Sequence, residues 1–238
     1  MNYLILGGTS GIGLEVVKKL SKKNQVYVLG RNFEKINSLN LDNIFCLHHE
    51  VVSFENLDLY FKNELYGRTT FDGILNCVGS EGFKMTKLIT NRDYQNIFLP
   101  PVIAFLIILK YSAKKNFINP YGSIITMSSV SSVKGKGGMM LYGAARAALE
   151  SMIKHAASDL GERNIRVNAI RSGAVKTPMH ERSIKNMDQE TLDNFRKSHL
   201  LGFGEAADIV SLIEFMFSKK SKWITGTSIT ADGGYLAE

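Results

Sequence analysis

Short runs of branched and aromatic residues recur along the chain, spaced so that a helix fits between them: NYLIL, QVYVL, NIFCL, DGILNC, GSIITM, IRVNAI and TSITADG. Several, GSIITM among them, lack the polar alternation of a half-exposed strand. Continuous apolar character marks strands covered on both faces, as in a parallel sheet flanked by helices. Between the runs, residues 14–22 carry Leu14, Val17 and Leu20 at helical spacing, and residues 141–162 carry Leu141, Ala145, Leu149, Met152 and Ala156 likewise. Each such stripe buries one face against a sheet. This β-α alternation, with no repeat, low-complexity tract or linker, predicts an α/β fold: one doubly wound domain over residues 1–238 with a seven-stranded parallel sheet. Residues 179–203 depart from the pattern. They are polar and short in period, and read equally as a mobile substrate lid or as a pair of solvated surface helices.

Composition narrows the class. The 238 residues are 45% hydrophobic and 21% charged with 4 Pro, which excludes disordered, collagen-like and disulfide-rich chains. A formal charge of +7 favours anionic partners without separating a nucleotide phosphate from an acidic protein. No helix-turn-helix, zinc or aromatic-ribbon signature accompanies it, so no nucleic-acid partner is expected. Lys219, Lys220 and Lys222 read as a solvated cluster. Cys46 and Cys77 suit a reducing compartment and read as small buried hydrophobes. Their spacing, and the adjacent pair His48-His49, offer no ligand set, so no metal is expected. The start, MNYLILGG, has no cationic leader pattern, and the apolar stretch Val102 to Leu109 is too short to span a bilayer. A cytoplasmic protein without membrane partners is the expectation.

Chemistry enters at the first strand, which runs into Gly7, Gly8, Thr9, Ser10, Gly11, Ile12 and Gly13 and then a helix. Glycines let the backbone turn tightly and approach a pyrophosphate, while free N–H groups and the dipole at the helix start favour its charge. Strand two is followed by Gly30, Arg31 and Asn32. A carboxylate there would accept from an adenosine ribose 2′-hydroxyl, whereas an arginine offers a planar fork to a 2′-phosphate. Arg31 and Asn32 therefore point to NADP(H) ahead of NAD(H). The alternative has Arg31 stacked on adenine or facing water.

With these residues in place the chain resembles the short-chain dehydrogenase/reductase family over essentially its whole length, which implies a Rossmann-type fold. The family's T-G-x-x-x-G-x-G is matched from Leu6 to Gly13, with Leu6 for threonine. The resemblance maps an adenine-contacting carboxylate onto Glu50, followed by Val51, and the N-N-A-G of strand four onto Asn76, Cys77, Val78 and Gly79. P-G-x-V-x-T becomes Ser172, Gly173, Ala174, Val175, Lys176 and Thr177, with Thr177 at the nicotinamide carboxamide. ITGTSITADGGY completes the match.

The same resemblance places the catalytic set at Ser129, Tyr142 and Arg146. Tyr142 and Arg146 are four apart on a predicted helix and share a face. Reducing a ketone leaves charge on its oxygen, which an acid must neutralise. A free phenol titrates near about 10 and a neighbouring cation moves such a group by roughly 1 to 3 units, so a tyrosine beside a cation suits the task. Ser129 would hydrogen-bond the carbonyl. Arg146 stands where the family has lysine; it keeps the charge and still donates to the nicotinamide ribose, but does not relay protons. The family's catalytic asparagine aligns with Pro101, and Asn96 replaces it only if the helix is shifted or distorted, as Pro100-Pro101 permits. The expected function is an NADP(H)-dependent oxidoreductase, of reduced activity, interconverting a carbonyl and a secondary alcohol on a small or acyl-type substrate. The alternative is a dinucleotide-binding pseudoenzyme serving as redox sensor or interaction module. Relatives pair through the helices after strands four and five, implying a homodimer or homotetramer.

Overall fold

All seven apolar runs form strands in the computed structural model, which describes residues 1–237. In chain order the elements are β1 (Asn2–Leu6), α1 (Gly11–Leu20), β2 (Gln25–Gly30), α2 (Glu34–Asn37), β3 (Ile44–His48), α3 (Phe54–Tyr60) and β4 (Phe71–Asn76). There follow α4 (Asn91–Asp93), α5 (Leu99–Ser112), β5 (Ile118–Ser129), α6 (Met140–Leu160), β6 (Arg166–Ser172), α7 (Pro178–Ile184), α8 (Gln189–Lys197), α9 (Ala206–Phe217) and β7 (Ser228–Ala231). Among the described residues the strands make one parallel sheet in the order β3-β2-β1-β4-β5-β6-β7.

The sheet explains the missing polar alternation. Leu4, Leu6 and Ile74 bury into one face with Phe105 of α5 and Leu149 of α6. Tyr3, Ile5 and Leu75 bury into the other with Val17 of α1 and Ile213 of α9. Both faces being covered, alternate side chains each gain the roughly 1.5–3 kcal/mol of a fully buried aliphatic or aromatic group. Strand order reverses between β1 and β4, whose registered ends are Leu6 and Asn76. Helices leave the sheet in opposite directions there, opening a crevice at the carboxyl ends of the strands.

The helix ahead of β5 departs from regularity. The run from Asn91 to Ser112 is long and apolar enough by length and composition to cross a membrane, but half of its most apolar window is buried inside the protein. It is a core helix of the sheet, with Val102, Ala104, Phe105, Ile107 and Ile108 buried. Pro100 and Pro101 sit in the first turn of α5. Lacking N–H groups, they leave the carbonyls of Asn96 and Ile97 without their ordinary helical donors. The backbone widens into a π-helix over Tyr94–Phe98, closed by the Leu99 N–H on the Tyr94 carbonyl, and the Asn96 carbonyl accepts from Ser80 Oγ at 2.8 Å. One expectation needs correction at sheet level. Cys46 is exposed on β3 rather than buried, because β3 is the edge strand. Cys77 follows β4, and burial pushes its thiol up to about 12, so it is an inert hydrophobe.

Candidate active site

A cleft of about 1990 Å³ runs along the carboxyl ends of the strands, from Arg31 at one end to Tyr235 at the other. Its floor is the glycine turn. Gly7 has φ +76° and a Cβ added there would lie 2.8 Å from the Cys77 carbonyl carbon. A Cβ on Gly13 would lie 2.4 Å from the Gly7 oxygen, so β1 and α1 meet here only through bare backbone. Ser10 occupies the N-cap of α1 without capping it through its side chain, and the first turn carries no acidic residue. The helix start thus keeps its unclaimed N–H groups and positive dipole end facing the cleft, which is what an anionic pyrophosphate requires.

At the far end Arg31 and Glu50 face each other, Nη1 to Oε1, at 2.8 Å. Their side chains are 74% and 57% exposed, a surface pair worth about 0–1 kcal/mol and readily exchanged for a stronger anion.

Another part of the cleft is built from β4, β5 and α6. Ser129 closes β5, and its Oγ accepts the Ser131 N–H at 3.2 Å, making it the cap of the single turn Val130–Ser132. Gly143 lets α6 approach that turn, since a Cβ there would lie 2.6 Å from the Ser131 carbonyl oxygen. Tyr142 is thereby brought to the same cleft wall as Ser129. The Arg146 guanidinium carbon lies 4.8 Å from the Tyr142 ring centroid. Its Nη1 donates to the Met127 carbonyl at 3.0 Å and reaches Val78 O at 3.5 Å, while Nε is buried without a partner. The guanidinium is therefore tied to the ends of β4 and β5, with Nη2 seated where a Cβ on Gly79 would be only 2.2 Å away.

Behind the serine lies a charged cluster. Glu150 of α6 accepts from Ser128 Oγ at 2.6 Å, Ser132 Oγ at 2.7 Å and both Nε and Nη2 of Arg171. Burial pushes the Glu150 carboxyl up, but the hydrogen bonds from Arg171, Ser128 and Ser132 outweigh it and hold the group below the usual carboxylate range.

Phe83, Met139, Met179, Met187 and Phe195 give the cleft adaptable apolar patches. Residues 179–203 form most of α7, all of α8 and the turns that follow it; α8 has no buried residue, and its Phe195 joins an aromatic group with His180, His199, Phe203 and Tyr235. His199 Nε2 accepts the Ala174 N–H at 3.1 Å and its Nδ1 lies 3.0 Å from the Phe195 carbonyl. Only the neutral ring protonated on Nδ1 satisfies both. Burial lowers His180 below its ordinary range.

The sequence profile of the family described as Enoyl-(Acyl carrier protein) reductase matches residues 7–236. The chain belongs to the short-chain dehydrogenase/reductase family. Within the family it is similar to the 3-oxoacyl-[acyl-carrier-protein] reductase FabG of Rickettsia bellii, 28% identical over 98% of this chain and 95% of that protein. It is also similar to carbonyl reductase family member 4 of Danio rerio, 27% identical over 97% and 96%. A solved short-chain dehydrogenase from Francisella tularensis superposes with TM-score 0.85 at 25% identity, covering 100% of this chain and 99% of that one. The 4-hydroxyisoleucine dehydrogenase complexed with NADH shares the fold with TM-score 0.88 at 24% identity, over 100% and 99%. This short-chain dehydrogenase/reductase is an oxidoreductase binding a nicotinamide dinucleotide, and the bare glycine cradle fits that group. Gly7, Thr9, Ser10, Gly11, Ile12 and Gly13 would hold its pyrophosphate.

For this family member the cleft gathers nearly all the residues its motifs point to, including Val51, Cys77, Val78, Gly79, Ser172, Gly173, Val175 and Thr177. Two stand apart. Asn32 does not line the cleft; its Oδ1 accepts the Glu34 N–H at the start of α2. Asn76 is buried behind the wall, its amide donating to Pro101 O and Thr126 Oγ1, and it acts only by fixing the Val78 N–H at 3.2 Å. Asn96, reached through the π-helix, does line the cleft, whereas Pro101 does not. Glu150, Arg171, His180 and His199 went unread as site residues. A charged residue ending the apolar run IRVNAI was the one available sign of Arg171.

The buried guanidinium allows a direct test of charge against bulk. Arg146→Met removes a desolvated cation over a ring, worth about 2 kcal/mol, and is expected to lower kcat roughly 30-fold. Arg146→Lys keeps the charge and should stay within a few-fold of wild type. Steady-state kinetics at one pH decides it: equal losses in both variants would mean that Arg146 matters for packing alone.

Proposed function

We propose that this oxidoreductase is an NADP(H)-dependent reductase that interconverts a carbonyl and a secondary alcohol on a small or acyl-type substrate. The observation that carries the reading is the convergence of Ser129 and Tyr142 on one wall of a cleft whose floor is a phosphate cradle. The dinucleotide, when bound, supplies or accepts the hydride. Tyr142 gives its phenolic proton to the substrate oxygen as negative charge grows there, and the guanidinium under its ring offsets the charge that the phenol then carries. Because the Ser131 N–H occupies one lone pair of Ser129 Oγ, the serine hydroxyl proton is left to hold the same substrate oxygen. Arg146 fixes the ring from below instead of relaying protons. The relatives are named as 3-oxoacyl-[acyl-carrier-protein] reductase, carbonyl reductase and levodione reductase, which supports a ketone substrate and gives no support to the pseudoenzyme alternative. Self-association through α5 and α6 stays part of the reading, carried by Leu106, which is exposed while its apolar neighbours Ile103, Phe105, Ile107 and Ile108 are buried.

Arg31 supports NADP(H) because a 2′-phosphate outbids a single exposed carboxylate for its fork. Removing a charge-assisted contact of about 1.5–3 kcal/mol corresponds to roughly 10- to 100-fold in affinity. Arg31→Glu should weaken NADPH binding by that factor and leave NADH unharmed, while Glu50→Gln should tighten NADPH by a few-fold. Fluorescence titration of both nucleotides checks this, alongside oxidation of each by the purified protein with an activated diketone. Preference for NADH in the wild-type protein would overturn the NADP(H) reading, and saturable nucleotide binding without turnover of any ketone would favour the binding-module alternative.

A further inference from the structure

We propose that Glu150 and Arg171 are positioning residues for the Ser129 hydroxyl, forming with Ser128 and Ser132 a brace that locks the serine turn onto the helix carrying Tyr142. The inference rests on the reading of Ser129 as the donor to the substrate oxygen.

Neither Glu150 nor Arg171 lines the cleft, so neither touches what is bound there. Their side chains are 12% and 17% exposed, and they join three separate elements: α6, the end of β5 and β6. The carboxylate grips the chain on both sides of Ser129. Ser128 Oγ donates to Oε1 at 2.6 Å, and Ser132 Oγ lies 2.7 Å from the same oxygen. Ser132 Oγ is also 2.7 Å from the Ser129 carbonyl oxygen, so its single proton is shared between the carboxylate and the backbone of the serine itself. Arg171 completes the set, with Nε 3.2 Å from Ser132 Oγ and 3.1 Å from Oε1 and with Nη1 3.1 Å from Thr230 Oγ1 on β7.

The orientation of Ser129 depends on that turn, because the Ser131 N–H selects which lone pair of Oγ is occupied. Glu150 lies eight residues beyond Tyr142 on α6, so one rigid helix carries both the phenol and the anchor of the serine turn. Stability alone gives no reason for charge here, since a buried ion pair is commonly replaced by apolar residues without loss. What apolar residues do not reproduce is a fixed acceptor for several donors at once, which sets angles as well as contact.

A double-mutant cycle with NADPH and an activated diketone tests this. Glu150→Gln is expected to lower kcat about 10- to 100-fold with KM for NADPH within two-fold, since the cradle is untouched. Ser129→Ala sets the ceiling, and Ser129→Ala/Glu150→Gln should turn over no more slowly than Ser129→Ala alone, because the brace acts only through that hydroxyl. Glu150→Met/Arg171→Met, which leaves no unpaired buried charge, should keep the melting temperature of wild type and show the same loss of kcat as Glu150→Gln. Losses that multiply in the cycle, or a folded Met/Met protein with wild-type kcat, would overturn the brace while leaving the site intact. Full turnover by folded Ser129→Ala would instead overturn the reading of the serine, and the brace with it.

Discussion

Tyr142→Phe should lower ketone reduction by about 10²- to 10⁴-fold, the range general acid catalysis supplies, while NADPH binding stays within a few-fold. The substitution removes one oxygen and keeps the ring, so the contact with Arg146 at 4.8 Å and the seat of α6 on the serine turn are preserved. What is lost is the only group in the proposed mechanism that gives up a proton. Ser129 still holds the substrate oxygen, which is why a residual rate is expected rather than none. Single-turnover reduction, followed by NADPH fluorescence in the same samples used for titration, separates chemistry from binding. Retention of turnover within several-fold of wild type would move the proton donor to another group in the cleft.

Gly13→Ala should abolish measurable dinucleotide binding and lower the melting temperature by a few to about 10 °C. The added methyl would lie 2.4 Å from the Gly7 oxygen and 3.0 Å from Gly8 Cα, both backbone atoms with no flexible end to yield. Overpacking of this kind destabilises by about 1–3 kcal/mol, and a chain of this size loses roughly 2–4 °C per kcal/mol. The larger effect falls on function, because separating α1 from β1 moves the helix start away from the pyrophosphate position. Gly135→Ala, whose added methyl would meet nothing within 4 Å, is the matched control and should behave as wild type. An alanine at position 13 that bound NADPH normally would show that the cradle tolerates a wider approach than its geometry implies.

The strands were legible because their signal is local. Seven apolar runs became seven strands, and the missing alternation in GSIITM correctly announced cover on both faces. The glycine turn was legible for the same reason, as four glycines over seven residues admit few other conformations. Features made by distant partners were hidden. The Arg31–Glu50 pair spans nineteen positions and the Arg171–Glu150 pair twenty-one, and nothing in either neighbourhood names the other. Asn76 fits a cofactor motif by position, yet its amide turns inward because two acceptors, Pro101 O and Thr126 Oγ1, lie there. The π-helix before α5 was foreshadowed by Pro100-Pro101, but prolines say only that donors are missing, not where the spare carbonyls turn.

The position of β1 in the sheet bears on how the protein acquires its activity. β1 is paired on one side with β2 and on the other with β4, and Leu6 finds Asn76 only seventy positions further along the chain. The cleft is lined by residues as far apart in the chain as Gly7 and Tyr235. No contiguous fragment contains it, and loop-closure entropy must be met before the two halves of the sheet reward each other. Helices α1 and α6 are free to form early from neighbouring residues, but catalytic competence waits on the most distant pairings, so during refolding the first turnover would mark the end of assembly rather than its beginning.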